Sequence, residues 1–136
     1  MPALEIDAED QRLIEAAGDA LSRNFHPVRH TVGAAVVCRS GKIYTGVNIE
    51  SCGYGPCAEP IALGAALTNG EREILAVVAV AQEGGGVAVL SPCGNCRQLL
   101  LDYTPEAMVI YNDGGRVLKA RAKDLLPGAY RNLDEG

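Results

Sequence analysis

Apolar positions along the chain change their spacing several times, and each change marks an element. Leu13, Ala16, Ala17, Ala20 and Leu21 recur at three- and four-residue intervals behind Asp7, a helix-capping residue type. This predicts a helix over Ala8 to Arg23 with one buried stripe. His26 to His30, with Pro27 inside, is a loop. Thr31 to Cys38 is short and apolar, with β-branched residues, the pattern of a buried strand. Arg39-Ser40-Gly41 is a hairpin turn, and Lys42 to Asn48 is the return strand. Glu50 to Pro56 reads as a loop, and Cys57 to Leu67 as a helix ended by Asn69-Gly70. Ile74 to Ala81 is apolar throughout, as expected of a strand covered on both faces. Gly84-Gly85-Gly86 reads as a flexible break, followed by Val87 to Leu90 as a strand or the edge of one. A third helix over Cys93 to Tyr103 closes at Thr104-Pro105. Met108 to Tyr111 and Arg116 to Ala120 form a last hairpin around Asn112 to Gly115, and Asp124-Leu125-Leu126 a helical turn.

The resulting order, α-β-β-α-β-α-β-β, predicts an α/β fold: a three-layer α-β-α sandwich around a five-stranded mixed sheet. With 136 residues, the expectation is a single catalytic domain over 1–136. Apolar residues make up 48% and charged residues 21%, a globular balance. Twelve Lys and Arg against 17 Asp and Glu leave a net charge of −5 with no basic run. That argues against gripping a nucleic acid strand or an anionic membrane surface. The apolar run at Ile74 to Ala81 is far short of the ~20 residues of a membrane helix. Met1 to Ile6 lacks basic residues followed by an apolar stretch, so the expected compartment is the cytoplasm. There, thiols stay reduced, and the five cysteines point to metal binding or catalysis rather than disulfides.

Two motifs carry chemistry: Cys57-Ala58-Glu59 and Pro92-Cys93-Gly94-Asn95-Cys96. Both fall where a loop opens into a helix, and a helix N-terminus favours thiolates through its free N–H groups and dipole. Three thiolates from two such ends can reach one Zn²⁺ at about 2.3 Å each and leave the fourth position open, as in catalytic sites. Glu59, two residues past Cys57, is placed to carry protons rather than to ligate. The residues alone leave two other readings open. Cys52 with Cys57, Cys93 and Cys96 has the count of a closed four-thiolate structural site. Cys93-x-x-Cys96 also has the spacing of a redox pair, although that leaves Cys57 and Glu59 without a role.

Cys-x-Glu followed by Pro-Cys-x-x-Cys matches the signature of zinc-dependent nucleobase deaminases. Beyond it, the chain from Thr31 to Tyr130 resembles the small cytidine deaminases and their relative blasticidin S deaminase. The likeness rests on Val32-Gly33-Ala34-Ala35, Gly46-Val47-Asn48-Ile49-Glu50, Cys57-Ala58-Glu59, Ser91 to Gln98, and Leu125-Leu126-Pro127-Gly128-Ala129-Tyr130. The resemblance implies one zinc per subunit on Cys57, Cys93 and Cys96, with Glu59 as the catalytic proton shuttle. It implies that Asn48 and Glu50 hold the ribose 3′-hydroxyl, and that Ala58, His30 and Tyr130 contact substrate, Tyr130 in a neighbouring subunit. The implied reaction is hydrolytic deamination of a free cytosine nucleoside, cytidine or 2′-deoxycytidine, by a homo-oligomer, tetramer or dimer. Two alternatives stand beside it: a deaminase of a blasticidin S-like aminonucleoside or another modified aminopyrimidine nucleoside, and a catalytically silent zinc-bound scaffold.

The chain departs from the family pattern at four places. Pro60 stands where cytidine deaminases carry Arg, and Asn95 where blasticidin S deaminase carries Arg. With both positive charges gone, compensation for the thiolates falls to the helix N-termini and to Arg97. His30 occupies the position of the Phe that packs against the base. The loop from Asn48 to Cys57 is of the shorter blasticidin S type, whereas Glu50 is of the cytidine type.

Overall fold

The computed structural model describes residues 3–131. Its elements are β1 (Leu4–Glu5), α1 (Ala8–Asn24), β2 (Val32–Cys38), β3 (Ile43–Val47), α2 (Ala58–Thr68), β4 (Ile74–Glu83), β5 (Gly86–Leu90), α3 (Gly94–Tyr103), β6 (Met108–Asp113) and β7 (Arg116–Arg121). A 3₁₀ turn, Ala122–Asp124, follows β7, two residues earlier than the helical turn expected at Asp124. The strands form one mixed sheet in the order β1-β7-β6-β4-β2-β3, with β5 also paired to β4. All pairs are antiparallel except β4 with β6.

The three-layer sandwich is as expected, but the sheet has seven strands rather than five. One addition is β1, a two-residue edge on β7 whose pattern is too short to read as a strand. The other is β5, which pairs with β4 from Ala79 to Glu83. The glycines before it are therefore a tight turn: Glu83 pairs with Gly86, and Gly84 turns the chain with φ of 58°. No helix among the described residues is long and apolar enough to cross a membrane.

β4 sits at the centre because both of its faces are apolar. Val77 and Ala79 face α2 and α3 in one core with Ala34, Val36, Leu63, Leu100 and Val109. Ala76, Val78 and Val80 face α1 in the other, with Leu13, Ala17, Leu21, Ala35 and Ile110. A register shift opposite Val37 and Cys38 leaves Leu75 unpaired and exposed, and returns Ile74 to the first core. The capping box of Asp7 and Asp10 fixes the start of α1.

Two glycines let helices press onto opposite faces of the β2–β3 hairpin. A Cβ at Gly33 would run into the Ala17 carbonyl oxygen and lie 2.8 Å from Leu21 Cβ. A Cβ at Gly46 would lie 2.7 Å from the Ala62 nitrogen and 2.8 Å from Ile61 Cβ. The obstacles are largely backbone, so they cannot rotate away. Gly33→Ala is expected to lower stability by about 1–3 kcal/mol through overpacking, read as a lower urea midpoint at unchanged slope. Gly64, inside α2 with open space at its Cβ, provides the opposite sign: Gly64→Ala is expected to stabilise by up to about 1 kcal/mol.

Candidate active site

The site forms where the N-termini of α2 and α3 meet the ends of the β2–β3 hairpin. Cys57 and Cys93 are the N-cap residues of the two helices, each in extended backbone conformation (φ −65°, ψ 169° and φ −69°, ψ 172°). Neither side chain caps its helix by a hydrogen bond, so both thiols are free to face each other. Cys57 Sγ lies 3.6 Å from Cys93 Sγ, and the sulfurs of Cys57, Cys93 and Cys96 all lie within 4.8 Å of one another. Tetrahedral zinc–thiolate bonds of about 2.3 Å separate neighbouring sulfurs by roughly 3.8 Å, so the trio fits a zinc ion. Cys52 is exposed on the preceding loop and does not join this group, which removes the closed four-thiolate reading. Cys38 is fully buried in β2, in the core beside α2.

The environment separates the three thiols. Burial pushes Cys96 well up, reinforced by the Glu59 carboxylate. Burial also raises Cys57, with the Cys93 thiol adding to the effect. At Cys93, burial works upward as well. The Cys96 and Asn95 backbone N–H groups at the start of α3 and the neighbouring thiols favour the thiolate, outweigh burial and bring Cys93 below its usual value. The first turn of α3 thus supplies the compensation expected of a helix N-terminus. Arg97 does not supply it through contact with sulfur in these interactions. Its Nε donates to the Pro92 carbonyl at 2.8 Å and its Nη1 to the Leu125 carbonyl at 3.0 Å, pinning the cysteine loop to the 3₁₀ turn. Pro60 falls in the first turn of α2, where an amide hydrogen has no intrahelical partner to lose.

A cavity of about 280 Å³ opens beside the thiols, lined by Asn48, Glu50, Cys57, Ala58, Glu59 and Cys93 among others. Glu59, only 5% exposed, lies in the first turn of α2, and burial pushes its carboxyl above the usual carboxylate range. A raised carboxyl beside a metal position is suited to both taking up and giving back a proton near neutral pH.

Asn48 is buried just past the end of β3. Its Oδ1 accepts hydrogen bonds from the backbone N–H groups of Thr31 (2.8 Å) and Val32 (2.9 Å). These bonds fix the amide orientation and leave Nδ2 as a donor, with only a long contact of 3.5 Å to Thr31 Oγ1. Glu50 lines the same cavity with a carboxylate that forms no hydrogen bond or ion pair with another described side chain. A donor next to an acceptor is the pair that matches an alcohol, which both accepts and donates.

Two expected substrate contacts lie outside this lining. The ring of His30 meets Asn48, its Nδ1 2.8 Å from the Asn48 carbonyl oxygen. Tyr130 is 79% exposed, and its carbonyl accepts a hydrogen bond from Gln98 Nε2 at 3.1 Å. In exchange, the cavity includes Thr31 and Ser91, which sequence reasoning assigned no role. Ser91 Oγ donates to the Asn112 carbonyl and accepts from its N–H, tying the cysteine loop to β6. Its place directly before Pro92-Cys93 was the available signal.

Residues 7–112 match the model of the cytidine and deoxycytidylate deaminase zinc-binding region. The chain belongs to the cytidine and deoxycytidylate deaminase family. It is 33% identical over 137 residues to blasticidin-S deaminase of Bacillus cereus, covering 96% of this chain and 98% of that one. To the cytidine deaminase of Halalkalibacterium halodurans it is 36% identical over 129 residues, covering 91% and 96%. The crystal structure of cytidine deaminase from Mycobacterium tuberculosis superposes with a TM-score of 0.75 at 33% identity, covering 93% of this chain and all of that one. Family and geometry agree on a zinc-dependent deaminase whose zinc ligands are Cys57, Cys93 and Cys96.

Proposed function

We propose that this deaminase converts a free cytosine nucleoside, cytidine or 2′-deoxycytidine, to the uracil nucleoside and ammonia. The observation that carries the reading is the buried Glu59, its carboxyl pushed upward by burial, beside three converging cysteines at a cavity that also presents an alcohol-matching pair, Asn48 and Glu50. Zinc, when bound, supplies Lewis acidity that makes a water nucleophilic near neutral pH. The chain's own residues do the rest. Glu59 accepts a proton from the water adding at C4 and delivers it to the pyrimidine N3. It then takes the proton of the hydroxyl now on C4 and passes it to the departing amine, so that the C4 carbonyl forms as the C–N bond breaks, water is consumed and ammonia released. Asn48 Nδ2 donates to the sugar 3′-hydroxyl oxygen and Glu50 accepts its proton. The Ala58 backbone, at the first helical position of α2, faces the base beside Glu59. His30 acts here through Asn48, by holding its carbonyl, rather than as a platform for the base. Tyr130, exposed at the end of the described chain, serves as a contact to a neighbouring subunit's cavity in a homo-oligomeric cytoplasmic enzyme of one domain.

The 33% identity to a blasticidin-S deaminase over nearly the whole of both chains supports a second reading, an aminonucleoside substrate of that kind. An ammonia-release screen of the zinc-loaded protein over cytidine, 2′-deoxycytidine, cytosine and blasticidin S tests both. The proposal expects cytidine or deoxycytidine to have the highest kcat/KM and cytosine, without a sugar, to fall far behind. Highest turnover on blasticidin S would move the assignment to the second reading. No ammonia from any of them would leave a zinc-bound scaffold.

A further inference from the structure

The loop between α1 and β2 is built as a small closed unit that holds one arginine beside Glu50, a residue of the cavity lining. The backbones of His26 and His30 pair through two hydrogen bonds, at 3.0 and 3.2 Å. Inside that closure, His26 Nδ1 accepts the N–H groups of Val28 (3.2 Å) and Arg29 (3.1 Å). The unit is docked on the residues that line the cavity. His30 Nδ1 meets the Asn48 carbonyl at 2.8 Å, and Arg29 Nη1 donates to the Glu50 carbonyl at 3.5 Å. Arg29 is exposed, and it forms none of the ion pairs found among the described residues. Its long bond to a neutral carbonyl leaves the guanidinium fork largely free.

The cavity lining contains two carboxylates, Glu50 and Glu59, and no Lys or Arg. The chain as a whole carries −5. A cation held at the Asn48–Glu50 end therefore stands against its surroundings, on the side where a sugar would project rather than where the base would meet Glu59. At physiological salt the overall negative field is screened beyond about 8 Å, so contact with a nearby guanidinium outweighs it. Arginine binds carboxylate or phosphate through two parallel N–H bonds, and a neutral hydroxyl cannot use the fork in this way.

We propose that Arg29 is a specificity-determining residue that favours nucleosides bearing an anionic substituent on the sugar. This rests on the deaminase reading above, and it adds to it a charge preference at the sugar among cytosine nucleosides. Glu50 and Asn48 take the hydroxyl, and Arg29 takes the anion.

The test compares kcat/KM for cytidine, cytidine 5′-monophosphate and cytidine 5′-carboxylic acid in the wild type, Arg29→Met, Arg29→Lys and Arg29→Glu. The readout is the ratio of anionic to neutral substrate. Arg29→Met is expected to lower that ratio about tenfold, a modest value because the site is exposed. Arg29→Glu lowers it further, and Arg29→Lys restores part of it. Added salt lowers the ratio in the wild type and not in Arg29→Met. Which anion gives the larger ratio identifies phosphate or carboxylate as the group recognised. A ratio equal in the wild type and all three variants overturns the proposal. Calorimetric binding of uridine 5′-monophosphate against uridine reads the same preference without turnover. If no substrate releases ammonia, the activity reading fails, while tighter binding of the monophosphate that is lost in Arg29→Met still supports the role of Arg29.

Discussion

Glu59→Gln is expected to lower kcat by roughly 10³–10⁴-fold while leaving the binding of a cytosine nucleoside within a few-fold. Glutamine keeps the shape and burial of the side chain but cannot take up or release the proton. The same substitution is expected to make the metal-free protein more stable at neutral pH. The sign follows from burial. Glu59 has a raised pKa in the folded chain, so folding favours its protonated form. Its contribution to stability is fully present below the ordinary carboxylate pKa and is lost as pH rises through the raised one. A neutral glutamine does not suffer that loss. The melting temperatures of metal-free Glu59→Gln and metal-free wild type should therefore coincide at low pH and separate as pH increases. Thermal melts from pH 4 to 8 after chelation, paired with stopped assays, check both halves. A variant that retains turnover within tenfold of wild type rules out Glu59 as the proton carrier.

Zinc uptake is expected to release about two to three protons at pH 7. Burial raises Cys57 and Cys96, so without metal both hold their protons at this pH. Each must lose one to bind as a thiolate, and Cys93, lowered by the first turn of α3, adds at most one more. Zinc affinity therefore falls steeply as pH drops. Chelation is expected to abolish ammonia release and to lower the melting temperature, because metal bound only by the folded state adds about 4 kcal/mol at a thousandfold excess over Kd. Calorimetry in buffers of different ionisation enthalpy gives the proton count. A count near zero would mean that the thiols were already ionised and that the site is far more electropositive than its groups imply.

Much of this was legible in the chain because the signals were periodic or chemically sharp. The apolar run at Ile74 to Ala81 marked the central strand, and Asp7 marked the start of α1 within a residue. Cys57 and Cys93 were read at helix starts, and the structure makes both of them N-caps. What escaped depended on tertiary partners. Leu4–Glu5 is a strand only because β7 offers an edge. The three glycines after β4 look like a break until Glu83 and Gly86 are seen to pair. His30 sits at the position of a base-packing aromatic, yet its ring nitrogen finds the Asn48 carbonyl. That partner is invisible in a residue's identity. Nor does sequence spacing reveal that the amide of Asn48 spends its oxygen on the start of β2.

That last detail bears on how readily the pocket can be redesigned. The Asn48 side chain both lines the cavity and holds the start of β2, so a substitution there leaves the Thr31 and Val32 N–H groups without their acceptor and carries a stability cost as well as a change in the cavity. Glu50 has no such second duty among the described residues. The two positions sit two residues apart and differ in mutational freedom, and Glu50 is the one at which the cavity can change without loosening the hairpin.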